Sequence, residues 1–177
     1  MKKPLSKRQS AVLEVMSKPK IPAEIRNQIG LKRTNNLSAT IKELVNWGFI
    51  HCLNPKARLG KLYGLTKKGI RTRKKLGFTE YCQPHDIDWD LYGYLVSGKQ
   101  RRTILKAMNE SLPMSSRLIR ERVHEYNPRI SRTNANDVLQ QFVRKGLAKK
   151  IEQGKGVLFG LTKKGQKIKG QLMKPYF

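Results

Sequence analysis

A chain of 177 residues with 38 Lys and Arg against 12 Asp and Glu, net +26, has room for one large domain or two small ones and repels itself unless a polyanion is at hand. Nucleic acid is the usual polyanion; an anionic membrane is the other candidate, but no apolar run approaches the ~18 residues of a spanning helix. Two cysteines are too few for a disulfide framework and point to a reducing cytoplasm, and the basic start Met1–Lys7 lacks the apolar stretch of a secretion signal.

Charge divides the chain into three parts. Residues 1–76 hold 19 cations and 3 acids, residues 77–97 none and 4, and residues 98–177 19 and 5. The expected organisation is therefore a basic domain over 1–76, an acidic linker over 77–97 and a second basic domain over 98–177.

In chain order, Ser6 to Met16 places Val12, Leu13 and Met16 at helical spacing, with Lys7 and Arg8 in the first turn. Lys18-Pro19-Lys20 breaks it. Ile21-Pro22 starts a second helix with Ile21, Ile25 and Ile29 as its inner stripe, and Gly30 ends it. Leu31 to Trp47 holds a third helix, with Leu37, Ile41, Leu44 and Val45 inside and Gly48 as its stop. Phe49–Leu53 and Leu62–Leu65 read as hairpin strands around the turn-rich basic loop 54–61. Thr66 then caps a basic helix running to Leu76. Residues 77–85 look irregular. Asp86-Ile87-Asp88 leads into a helix with Trp89, Tyr92, Leu95 and Val96 on one side.

The pattern then returns. Lys99–Met108 matches Lys7–Met16 at an offset of 92, with Ile104, Leu105 and Met108 on Val12, Leu13 and Met16. A helix over Pro113–Val123, capped by Ser115 or Ser116, has Met114, Leu118 and Ile119 inside. Ser131–Lys145 repeats the third helix at an offset of 98, with Ala135, Leu139, Phe142 and Val143 inward. Leu147–Ile151 and Val157–Leu161 form the second hairpin. The hexapeptide Gly64-Leu65-Thr66-Lys67-Lys68-Gly69 recurs unchanged as Gly160-Leu161-Thr162-Lys163-Lys164-Gly165. Changes of offset fall in turns, where a duplicated unit tolerates them.

Three helices, a hairpin and a basic closing helix, with Leu44-Val45-Asn46-Trp47-Gly48-Phe49-Ile50 before the hairpin and Leu62-Tyr63-Gly64-Leu65-Thr66-Lys67-Lys68-Gly69 after it, resemble the winged helix-turn-helix regulators of bacteria and archaea, including the MarR-like and ArsR-like groups. The second copy carries Phe142-Val143-Arg144-Lys145-Gly146-Leu147 and Leu158-Phe159-Gly160-Leu161-Thr162-Lys163-Lys164-Gly165. The fold class so implied is mainly α with small β-hairpins, an α+β chain of two tandem winged domains. The resemblance implies that each third helix enters the major groove of DNA and each hairpin wing touches the backbone. The third-helix residues are then Arg33, Thr34, Asn35, Asn36, Ser38 and Lys42 in the first copy. In the second they are Arg129, Ser131, Arg132, Thr133, Asn134, Asn136 and Gln140. Asn suits adenine, and Arg or Lys suits guanine. Glu43 and Asp137 are expected at the margins. Lys56, Arg58 and Lys61, and Lys149, Lys150 and Lys155, are the expected phosphate neutralisers at the hairpin tips. Arg117, Arg120 and Arg122 could line the backbone or simply solubilise their helix.

The function so implied is a sequence-specific, double-stranded DNA-binding transcriptional regulator, cytoplasmic and not an enzyme. The alternatives are a replication initiator or mobile-element DNA-binding protein, and an RNA- or ribosome-associated adaptor. A monomer reading with both domains is expected; a homodimer through the helix at 89–96 is the alternative, the duller role of that helix being to pack on the second domain or between the two. No cofactor or metal is expected. Cys82, His85 and Asp88 have metal-binding types but no second pair beside them. His51 beside Cys52 suits hairpin packing better than catalysis. Asp86, Asp88 and Asp90 suit the start of a helix better than magnesium.

Overall fold

The computed structural model describes residues 4–31, 35–78, 81–82, 86–154 and 156–173, with backbone alone at 35 and 36. It is an α+β chain, mainly helical, with two small antiparallel sheets. The chain divides into two compact units, the first reaching Ser97 and the second beginning at Gly98. No helix among the described residues is long and apolar enough to cross a membrane.

In the first unit α1 (Lys7–Val15), α2 (Pro22–Gln28) and α3 (Asn35–Asn46) precede β1 (Ile50–Cys52), β2 (Tyr63–Leu65), α4 (Lys67–Lys75) and α5 (Trp89–Val96). Local chemistry sets the boundaries. Ser6 and Gln9 form a reciprocal cap on α1, Gln9 N donating to Ser6 Oγ at 3.2 Å and Ser6 N to Gln9 Oε1 at 2.8 Å. Pro22 opens α2, and Gly30 and Gly48 take the left-handed backbone, at φ +69, that a helix stop needs. Val12, Leu13, Met16, Ile25, Leu37, Ile41 and Leu44 meet Ile50 and Leu65 in one core.

The second unit repeats the order with α6 (Lys99–Ala107), β3 (Met114–Ser115), α7 (Ser116–His124), α8 (Arg132–Arg144), β4 (Ala148–Gln153), β5 (Gly156–Leu161) and α9 (Lys163–Met173). Ile104, Leu105 and Met108 occupy the core as Val12, Leu13 and Met16 do. On the third helices the volumes compensate. Ala135 stands for Leu37 and Phe142 for Leu44, all four being buried, so the second core loses bulk at one end and gains it at the other.

Several expectations are corrected. Met114 and Ser115 are not helical but form β3, paired with β5 in a sheet of order β3-β5-β4. Ser115 caps α7 through Leu118 N at 3.2 Å, and a capping residue has extended backbone, so the helix cannot begin earlier. That start turns Ile119 and Val123 inward and leaves Leu118 42% exposed. In the first unit the matching position is a single bridge between Lys20 and Tyr63. Val45 is exposed rather than inside, being rotated off the stripe set by Leu37, Ile41 and Leu44. On α5 the buried side is Leu91, Leu95 and Val96, with Trp89 and Tyr92 half-buried and in edge contact at 5.9 Å between ring centres.

Residues 81–82 and 86–96 pack within the first unit. Tyr81 Oη accepts from Leu65 N at 3.1 Å. Buried Asn54 donates from Nδ2 to Gly60 O (3.0 Å) and Trp89 O (3.4 Å), and its Oδ1 accepts from Leu62 N at 2.7 Å. Gly60 and Gly93 approach so closely that a Cβ on Gly93 would lie 2.3 Å from Gly60 O. The loop of the first hairpin is thereby tied to α5.

Candidate nucleic-acid interface

Burial of Leu37, Ile41 and Leu44 forces the other side of α3 outward. At about 100° per residue, Ala39, Lys42 and Asn46 lie opposite the core and Ser38 on a flank. Ser38 and Lys42 are exposed. Arg33 and Thr34 lie outside the described residues, as do the side chains of Asn35 and Asn36. Glu43 stays at the margin: its Oε2 accepts from Gln9 Nε2 of α1 at 2.8 Å.

The first hairpin comes beside this face. Ser38, Lys42 and Val45 of α3, Cys52 of β1, and Lys61 and Tyr63 line a groove of about 280 Å³. One helix cation and one hairpin cation thus border the same groove, whose other lining includes Pro22, Ile41 and Pro55 and no carboxylate. Tyr63 is held above the usual phenol range by burial and then by the charge of Cys52, so it stays a neutral donor. Cys52 Sγ lies 3.7 Å from Asn54 Oδ1, so the thiol is tied to the loop rather than to His51. Lys56 and Arg58 are exposed on the same loop.

On α8, Ala135, Val138, Leu139 and Phe142 are buried. Thr133, Asp137, Gln140 and Arg144 therefore run down the far side, with Asn136 and Asn134 on opposite flanks. Arg132, Thr133, Asn134 and Asn136 are exposed and Gln140 is half-buried. Arg129 is exposed in the preceding loop, anchored by buried Ile130. Ser131 is the helix cap, its Oγ accepting from Asn134 N at 3.1 Å. Two corrections follow. Asp137 sits among the outward residues, not at their edge. Arg144, four residues beyond Gln140, belongs to the same stripe and is exposed; the helical spacing was the signal that could have found it.

Lys149 and Lys150 are on strand β4, facing Gly160 and Phe159, rather than at the hairpin tip. Successive strand residues point to opposite faces, so the two cannot serve one surface. Lys150 Nζ also donates to Glu152 Oε1 at 3.0 Å. Lys155 lies outside the described residues.

Some cations near these faces are structural. Arg73 of α4 is buried and donates from Nε to Leu13 O (2.9 Å) and from Nη2 to Glu14 O (2.8 Å), at the end of α1. Lys169 of α9 does the same for α6, its Nζ donating to Met108 O at 2.5 Å. A cation at a helix C-terminus meets both free carbonyls and the negative end of the helix dipole. Lys68 Nζ donates to Trp47 O and lies 4.3 Å from the Phe49 ring centre.

Among the described residues no three His, Cys, Asp or Glu side chains gather as metal ligands. His85 lies outside the described residues, and Asp88 caps α5 by accepting from Leu91 N at 3.0 Å. Neither protein-family models nor curated proteins give a match to this chain.

Proposed function

We propose that the chain is a cytoplasmic tandem winged helix-turn-helix protein that binds double-stranded DNA and regulates transcription, without catalysing a reaction. Each unit would lay its third helix in a major groove, which is wide enough to admit one, and rest its hairpin on the adjoining backbone. The observation that carries this reading is the convergence of Lys42 from α3 and Lys61 from the hairpin on one groove free of carboxylates. The exposed Thr133, Asn136 and Arg144 of α8 support it. Arg and Asn would read base edges while the lysines neutralise phosphates.

Selection of bound sequences from random duplex DNA tests the reading. An enriched site is expected, two unlike halves favouring one chain with both heads. Asn136→Ala should relax preference at one base position by about 1–3 kcal/mol. Lys42→Gln with Lys61→Gln should weaken all sequences alike and lower the salt slope by about 2. Recovery of no preferred sequence, or tighter binding to structured RNA than to duplex DNA, would overturn it.

A further inference from the structure

The closing helices hold cations that neither the cores nor the third-helix faces use. Helix α4 has six Lys and Arg among nine residues and no acid. Arg73 is committed to α1 and Lys68 to Trp47 O. Lys67, Arg71, Lys74 and Lys75 remain, and all four are exposed. At about 100° per residue they fall on one stripe, opposite buried Gly69 and Arg73.

This stripe is costly to the isolated unit. Lys67 and Arg71, and Arg71 and Lys75, are like charges at i,i+4, and two cations in the first turn oppose the helix dipole. No acid within the helix offsets the like-charge pairs, although Lys74 and Lys75 in the last turn are favoured by the dipole. The stripe also lies on a helix with other packing partners than α3. α4 packs on α1 and β2, whereas α3 packs on α1, α2 and β1. The second unit repeats the plan. α9 has four lysines and no acid; Lys169 turns inward to Met108 O, Lys163 and Lys167 are exposed on the opposite side, and Lys164 lies on a flank.

We propose that the outward stripe of α4, Lys67, Arg71, Lys74 and Lys75, is a second nucleic-acid backbone site that holds a duplex segment other than the one under α3. Its side chains are cationic throughout, so each can neutralise a backbone phosphate. The stripe runs ~12 Å along the helix, a length over which duplex DNA presents about seven phosphate charges to its four cations. The partner class rests on the nucleic-acid reading above; the surface is separate from it.

Lysine acetylation of the full chain, read by mass spectrometry while a short duplex of mixed sequence is titrated in, tests the two apart. Lys67, Lys74 and Lys75 should lose reactivity about tenfold, as should Lys42. Protection of Lys42 with Lys67, Lys74 and Lys75 unchanged would overturn the second site and leave the first. Protection of none would overturn both. The K67Q/R71Q/K74Q/K75Q variant alters side chains outside the core and should keep its circular dichroism. Its slope of log affinity on log salt should shrink by about 3–4, and an unchanged slope would sink the proposal.

Discussion

Thr66 and Thr162 each join three pieces of their unit. Thr66 Oγ1 accepts from Gly69 N (3.1 Å) and donates to Gly48 O (2.6 Å), while its backbone N donates to Phe49 O (3.0 Å). Thr162 makes the same bonds to Gly165, Gly146 and Leu147. Gly69 and Gly165 complete the device, since a Cβ on either would lie 2.0 Å from a carbonyl oxygen. Thr66→Ala and Thr162→Ala should each cost about 1–2 kcal/mol. Both tryptophans are in the first unit, so Trp fluorescence during denaturation should report Thr66→Ala, while circular dichroism should report both. Tyr81 makes a pH prediction. Its hydroxyl is pushed up to about 12, burial outweighing the bond from Leu65 N, which favours the phenolate. The folded chain therefore keeps a proton that the unfolded chain releases from pH 10 upward, so stability falls as pH rises from 10 to 12. Lys20, lowered by burial and by Lys18, acts in the opposite direction as pH approaches its ordinary value. Comparing urea midpoints of wild type and Tyr81→Phe across that range should show a shallower loss in the variant.

The two hairpins differ as elements. The second has six-residue strands paired out to Gln153 and Gly156; the first has three-residue strands and a loop held by Asn54. Asn54→Ala would leave the buried Leu62 N without its acceptor and should cost about 1–3 kcal/mol, measured by denaturant unfolding. It should also weaken nucleic-acid binding, because Lys61 is fixed through this loop. Periodicity made the long elements legible: the inward stripes of α3 and α8 recur at helical spacing, and glycines mark their ends. β3 was not legible, because two residues carry no period and their pairing depends on β5, more than forty residues away. Leu118 was misplaced because Met114, four residues before it, matches it in helical spacing; with Met114 on β3, the buried stripe of α7 is Ile119 and Val123.

At the scale of the molecule, net +26 acts on stability and binding in opposite senses. The ion pairs Arg117–Glu121 and Lys150–Glu152 are exposed, so they contribute little. Self-repulsion is the larger effect, and salt screens it. The melting temperature of the free chain should rise with sodium chloride between about 50 and 200 mM, while duplex affinity falls steeply over the same range. Thermal scans and binding titrations at matched salt check both; a melting temperature that falls with salt would show that ion pairs outweigh repulsion.

Apart from β3, the duplicated order of elements, their helical or extended character and the cationic excess were determined by the sequence alone, because spacing, turn residues and charge are local properties of the chain. Which cations are available was decided only by the tertiary structure. Arg73 and Arg71 are alike in sequence, yet one meets the carbonyls of α1 about sixty residues earlier and the other faces water. Lys149 and Lys150 likewise differ by the face of a strand, and the acidic segment found its place through Gly93 against Gly60. Such outcomes depend on close approach between distant parts of the chain, which no local pattern encodes.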